Sequence, residues 1–177
     1  MSKFERILQV LGKDSFDKIQ KKKVLLFGLG GVGGIVAECL VRSGIKHIGI
    51  IDGDVIEESN FNRQLIALEG SEGISKVDLW SKRLKQINSD VTCDEYNFFY
   101  KKETYASIDF TKYDYIIDAI DDVDAKVEII KSALENNVKV ISCMGTAKLF
   151  DANIGICDIS ETHDCPLAKA VRSKLRK

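Results

Sequence analysis

Gly28-Leu29-Gly30-Gly31-Val32-Gly33 stands between a short apolar run, residues 23–27, and a segment with the four-residue apolar spacing of a helix. A G-x-G-x-x-G pattern between a strand and a helix can receive the phosphates of a nucleotide, because backbone N–H groups at a helix N-terminus lack partners and the helix dipole favours an anion there. Gly28 would permit the tight turn. Gly30 and Gly31 would let phosphate oxygens reach backbone N–H groups, and Gly33 would let the helix lie close to the strand. The competing reading is close helix packing with no ligand. Asp52 follows Gly33 by 19 residues and ends a second apolar run, where an acid can accept from a ribose hydroxyl.

Beyond that acid come Asp54, then Asn60, Arg63 and Gln64, with Lys76 13 residues after Arg63. An enzyme that leaves a dinucleotide intact needs no such cations around its phosphates. One that breaks a triphosphate does, because negative charge redistributes over the α-phosphate and the leaving pyrophosphate in the transition state. Taken singly, Arg63 and Lys76 read equally well as solvated surface charges; their spacing relative to the glycines groups them. Asp118-Ala-Ile-Asp121-Asp122 places carboxylates at the end of another apolar run. A hard carboxylate there suits Mg²⁺, which is commonly held by one or two carboxylates plus substrate phosphates. The alternative is that Asp121 or Asp122 caps the helix that follows.

These residues need a frame to hold them. Strands are expected at residues 23–27, 47–51, 113–117 and 138–143. Helices are expected at 31–43, with Val32, Val36 and Leu40 and a closing Gly44, across the stripe Val77, Trp80, Leu84 and Ile87, and across Val123, Val127, Ile130 and Leu134. This alternation predicts an α/β, Rossmann-like, doubly wound and mainly parallel sheet with helices on both faces, its ligands beyond the carboxyl ends of the strands. With 177 residues and 45% hydrophobic content, the chain is expected to form a single domain. The formal net charge of −1 argues against a surface that is everywhere a trap for nucleic acid. No stretch approaches the roughly 20 apolar residues of a membrane span, and no signal peptide is visible, so a cytoplasmic protein is expected. Five irregularly spaced cysteines without a C-x-x-C pair argue against structural zinc and a disulfide framework.

As a set, Gly28, Gly30, Gly31 and Gly33, then Asp52 and Asp54, Asn60, Arg63 and Gln64, Gly73 and Lys76, and Asp118 and Asp121 resemble the ThiF/MoeB/E1 superfamily of ATP-dependent enzymes that adenylate a carboxylate. Within it the chain looks most like the tRNA threonylcarbamoyladenosine dehydratase branch. The similarity lies in Phe4-Glu5-Arg6 with Leu11-Gly12, in "NFNRQLIAL", in "YDYIIDAIDDVDAK" and in "SCMGTAKLFDANIGICDISETHDCPLAKAVRSKLRK", and it covers essentially all of the chain. The resemblance implies a homodimer that uses ATP and Mg²⁺ to cyclise N6-threonylcarbamoyladenosine beside the tRNA anticodon. It also implies roles: Gly30 and Gly31 at phosphate, Asp52 at ribose, Arg63 and Lys76 as phosphate-binding cations, Asp121 as the magnesium ligand, and Arg6 as an arginine reaching the partner subunit's ATP. Members of the branch usually continue for several dozen residues past the basic segment that ends at Lys177. The whole chain is thus expected to be one adenylation domain lacking a C-terminal extension usual in the family. The loop "GTAKLFDAN" replaces a more glycine-rich form.

Cys165, before Pro166 at an expected helix start and close to His163, reads as a helix cap or packing residue, with a thiolate nucleophile as the alternative. In the tail, Lys169, Arg172 and Arg176 would share a helix flank that could meet tRNA phosphates or simply face water. Lys18 and the lysines at 21–23 carry the same two readings. Three other functions are open to this sequence: activation of the C-terminus of a ubiquitin-like or sulfur-carrier protein, an NAD-linked oxidoreductase, and a nucleotide-binding module that turns nothing over.

Overall fold

The computed structural model describes residues 3–146 and 154–176. Most of the "GTAKLFDAN" loop and Lys177 lie outside them. Five parallel strands form one sheet: β1 (Lys23–Phe27), β2 (His47–Ile51), β3 (Thr92–Tyr96), β4 (Tyr115–Asp118) and β5 (Lys139–Ser142), in the order β3-β2-β1-β4-β5. Among the described residues six α-helices accompany them: α1 (Glu5–Leu11), α2 (Lys13–Gln20), α3 (Gly33–Arg42), α4 (Lys76–Ile87), α5 (Val123–Glu135) and α6 (Pro166–Leu175). The chain moves from β1 outward to β2 and β3, then returns to β4 on the other side of β1. That reversal opens a crevice at the carboxyl end of β1.

The sheet is wound on both faces because β1 is apolar and buried from Val24 to Phe27 and its side chains alternate. Leu26 enters one core with Ile48 and Ile50 of β2, Ala37 and Val41 of α3, and Trp80 and Leu84 of α4. Leu25 and Phe27 enter the other with Ile116 of β4, Ile129 and Ala133 of α5, and Phe110 of the 97–113 connection.

The structure corrects several expectations. β3, Thr-Cys-Asp-Glu-Tyr, was not foreseen because an edge strand half open to solvent needs no apolar run. The strand expected at 113–117 begins two residues later, because Tyr113 N–H closes a 3₁₀ turn onto Phe110 O at 3.1 Å and its ring packs into the second core. Leu134, expected on a buried stripe, is 67% exposed. The inner face of α5 runs instead through Ala125, Ile129 and Ala133, while Val127 and Ile130 meet Val171 of α6. No helix of the described residues is long and apolar enough to cross a membrane.

Helices α3 and α4 are clamped by Glu38, which accepts from Arg83 Nε at 2.6 Å and from Arg42 Nε at 2.9 Å. The Arg83 hydrogen bond holds the Glu38 carboxyl below its ordinary range against the opposing effect of burial, with Arg42 adding to it. A carboxyl lowered in the folded state stabilises at pH values above its unfolded pKa, and that stability is lost as pH falls through the lowered value. Glu38→Gln is therefore expected to cost about 1 kcal/mol at neutral pH, with the gap from the parent closing in acid. Urea melts across a pH series check this.

Candidate nucleotide site

The carboxyl ends of the strands open into a cleft of about 1510 Å³. Gly28, Gly30, Asp52, Asp54, Asn60, Arg63, Gln64, Lys76 and Asp121 all line it. Residues spread over nearly a hundred positions thus face one space, because β1, β2 and β4 end side by side.

The glycine loop is built for close approach. Gly28 has φ +87°, and a Cβ on it would stand 2.8 Å from Ala119 O. A Cβ on Gly33 would fall 1.8 Å from Gly28 O, so Gly33 and the returning loop occupy one another's van der Waals space. Around Gly30 an added Cβ would meet nothing within 4 Å. The first turn of α3 has no side-chain cap, which leaves N–H donors for an anion. Gly31 and Gly33 are not among the residues lining the cleft. Gly31 underlies Arg63, whose carbonyl would stand 3.3 Å from an added Cβ, and Gly33 brings α3 down on the loop. In this structure these two glycines position the loop, and phosphate contact would come from their neighbours or through their backbone.

Asp52, at the end of β2, accepts from Leu29 N–H at 2.7 Å and Asp54 N–H at 2.8 Å. Burial raises its carboxyl above the ordinary range, and the two N–H groups oppose the shift. The acid expected at the ribose therefore also pins the glycine loop to β2. Asn60 accepts from Glu57 N–H at 3.2 Å, and its carbonyl accepts from the N–H groups of Arg63 at 3.1 Å and Gln64 at 2.9 Å. This turn presents both following side chains. Arg63 is exposed and tethered through Nη1 to Ser59 O and Asn62 Oδ1, both at 2.9 Å, so other guanidinium donors remain. Gln64 is buried, and its Oε1 has no hydrogen-bond partner among the described residues. Lys76 opens α4; its ammonium, buried in the cleft wall, donates to Asp54 Oδ2 at 2.8 Å.

The acidic end of β4 divides its labour. Asp122 caps α5 by accepting from Ala125 N–H at 2.7 Å, which leaves Asp121 exposed at the cleft wall. Asp118 is fully buried and ion-paired with the fully buried Lys126 at 2.9 Å. Lys126 escaped the sequence reading. Its signal was a charge on the buried stripe of an amphipathic helix, which demands a partner. Phe99, exposed on the cleft wall against Gly53, was also missed. Among the described residues no three His, Cys, Asp or Glu side chains could enclose a metal. The donor set fits an ion that takes one or two carboxylates and completes its shell with phosphates and water, as Mg²⁺ does.

Other expected residues lie elsewhere. Arg6 is on α1 with Nη1 3.4 Å from Gln9 Oε1, outside the cleft of its own chain. Cys165 is the N-cap of α6, its Sγ accepting from Ala168 N–H at 3.4 Å. His163 contacts Asp164 on the surface. The basic flank of α6 is broken: Arg172 donates to Thr162 O at 2.7 Å and so ties α6 to the preceding turn, and Lys174 pairs with Asp124. Lys22 is likewise paired, with Asp114 at 2.7 Å.

A parallel sheet reversing at β1, with a glycine loop, an acid and two cations at its rim, defines a nucleotide-binding α/β domain, and the chain belongs to the ThiF family, whose profile matches residues 4–173. Its relatives narrow the class. It is 39% identical to the tRNA threonylcarbamoyladenosine dehydratase of Bacillus subtilis over 100% of this chain and 70% of that protein. It is 38% identical to the enzyme of the same name from Haemophilus influenzae over 99% of this chain and 67% of that protein. The crystal structure of Escherichia coli tRNA N6-threonylcarbamoyladenosine dehydratase in complex with ATP superposes with a TM-score of 0.93, at 30% identity, over 99% of this chain and 72% of that one.

Proposed function

We propose that this protein is an ATP-dependent tRNA threonylcarbamoyladenosine dehydratase, which activates the threonyl carboxylate as an acyl-adenylate and closes a ring with net loss of water. The observation that carries this reading is the convergence of Gly30, Asp52, Arg63, Lys76 and Asp121 on one cleft in a fold shared with an ATP complex of a dehydratase. The substrate carboxylate attacks the α-phosphate. Arg63 and Lys76 neutralise charge as pyrophosphate departs, and the amides of the glycine loop receive phosphate oxygens. Asp121 would hold Mg²⁺, which supplies further charge neutralisation when bound. An oxygen or nitrogen of the substrate's own carbamoyl group then displaces AMP. The chain need furnish no nucleophile for that step, because a tethered group in the right geometry reaches an effective molarity of about 10⁵ M or more. Cys165 is left to its capping role.

In this reading the enzyme works as a cytoplasmic homodimer, with Arg6 of one protomer serving the partner's nucleotide; the position of Arg6 away from its own cleft is compatible with that. The test is mass spectrometry of nucleosides from threonylcarbamoylated tRNA incubated with protein and Mg-ATP. A product lighter by one water, with AMP released in step, is expected, and Arg63→Ala is expected to lower the yield by about tenfold or more. AMP formation that requires a ubiquitin-like or sulfur-carrier protein in place of tRNA would overturn the substrate. ATP binding with no AMP from either would reduce the chain to a nucleotide-binding module.

A further inference from the structure

Beneath the cleft lies a charge pair that the chemistry above does not use. Asp118 and Lys126 are each 0% exposed. Lys126 Nζ donates to Asp118 Oδ2 at 2.9 Å and to Cys143 O at 2.7 Å, and lies 3.4 Å from Ser142 Oγ. Ser142 Oγ donates to Asp118 Oδ2 at 2.5 Å, while Asp118 Oδ1 accepts from Ile120 N–H at 3.2 Å. The backbone joins in, since Cys143 N–H donates to Asp118 O at 2.7 Å. A buried ion pair is weak support for stability, because an apolar pair of similar volume often serves as well or better. What this pair does is connect three pieces of chain. These are the end of β4, the following turn that carries Asp121, and the segment after β5 in which Cys143, Met144, Gly145 and Thr146 line the cleft.

We infer that Lys126 and Asp118 are positioning residues that lock the Asp121 turn and the 143–146 wall in register, and so preset the metal side of the cleft without touching substrate. The inference rests on the nucleotide reading of the site. Its geometry favours this role over plain packing: each polar atom of the pair is spent on backbone or side-chain groups of the two cleft-forming segments. Asp118 reaches forward to Ile120, one residue before Asp121, and Lys126 reaches across to the carbonyl that starts the opposite wall.

The test compares the parent with Lys126→Met and with the double variant Asp118→Asn, Lys126→Met. The double variant keeps an acceptor for Ile120 N–H and leaves no uncompensated charge, so it remains informative where the single variant fails to fold. Amide hydrogen exchange at residues 119–122 and 143–146 is read first, in protein without nucleotide, then ATP binding by calorimetry across a magnesium chloride series. The double variant is expected to exchange about tenfold faster in both segments while the strands keep their protection. The magnesium concentration needed for half-maximal ATP affinity is expected to rise about tenfold or more, with metal-free ATP affinity little changed. Unchanged exchange in either segment overturns the inference, as does faster exchange with an unshifted magnesium requirement. A parent that binds no ATP overturns the nucleotide reading and this inference together, and that failure is seen in the parent alone.

Discussion

Lys76→Met is expected to slow AMP formation by about 10²-fold or more while moving the melting temperature by only a few degrees. The size follows from the position of the charge. The Lys76 side chain is only 6% exposed and stands at the first residue of α4, where the helix dipole disfavours a cation. Its salt-bridge partner is Asp54, which is half exposed and remains hydrated without it. Beyond the Asp54 salt bridge and the nearby Asp52 carboxylate, the donors left on this ammonium face a cleft in which a polyanion would meet them. Removing one preorganised group that meets developing charge costs about 10² to 10³ in rate. Methionine keeps the apolar stem packed and leaves no buried unpaired charge, so the fold is spared. Lys76→Arg is expected to recover activity only in part, because a planar guanidinium does not fit a slot made for a slim ammonium. Steady-state kinetics beside a thermal melt decide it: a methionine variant with more than half the parent rate would remove Lys76 from the chemistry.

Gly33→Ala carries the largest expected effect on the fold. The new methyl group would fall 1.8 Å from Gly28 O and 2.8 Å from its carbonyl carbon, and neither is the yielding end of a side chain. Gly28 cannot retreat easily, since it is at φ +87° with its N–H bonded to Ile51 O at 2.8 Å. The helix must rise from the sheet or the loop must unfold from β1. A cost of about 3 kcal/mol or more is expected, at the upper end for overpacking, or about 10 °C in melting temperature for a chain of this size. ATP affinity should fall with it, because the amides of the loop would lose their geometry. The comparison is Gly30→Ala, whose added methyl meets nothing within 4 Å; it should leave stability nearly unchanged and act on ATP binding alone. Equal melting temperatures for the two variants would mean that Gly33 does not hold α3 against the loop.

Much of the site was legible in the chain because its parts are local. The strand, the glycine turn and the first turn of α3 are contiguous, so period and composition report them directly. The turn in which Asn60 presents Arg63 and Gln64 is local too, closed by hydrogen bonds three and four residues apart, but in the chain it shows only as the spacing of those three residues, with no period to report it. Residues whose role depends on a distant partner were misread or missed. Arg172 looked like part of a basic flank until its guanidinium met Thr162 O, ten residues back. Asp118 and Asp121 stand three residues apart at one strand end, and nothing in that spacing reports that Asp118 is buried against Lys126 while Asp121 faces the cleft.

The sequence by itself determined that a glycine-rich βα turn would leave the start of a helix without a side-chain cap, and that an acid and two cations would follow at fixed intervals. Those properties are set by neighbours within a few turns of chain. Only the tertiary structure decided that these groups share one cleft, that Asp122 spares Asp121 by taking the helix cap, and that Lys126 bridges β4 to β5. The reason is the strand order: β1 sits in the centre with β2 on one side and β4 on the other, and proximity across a sheet is created by folding, not by spacing along the chain.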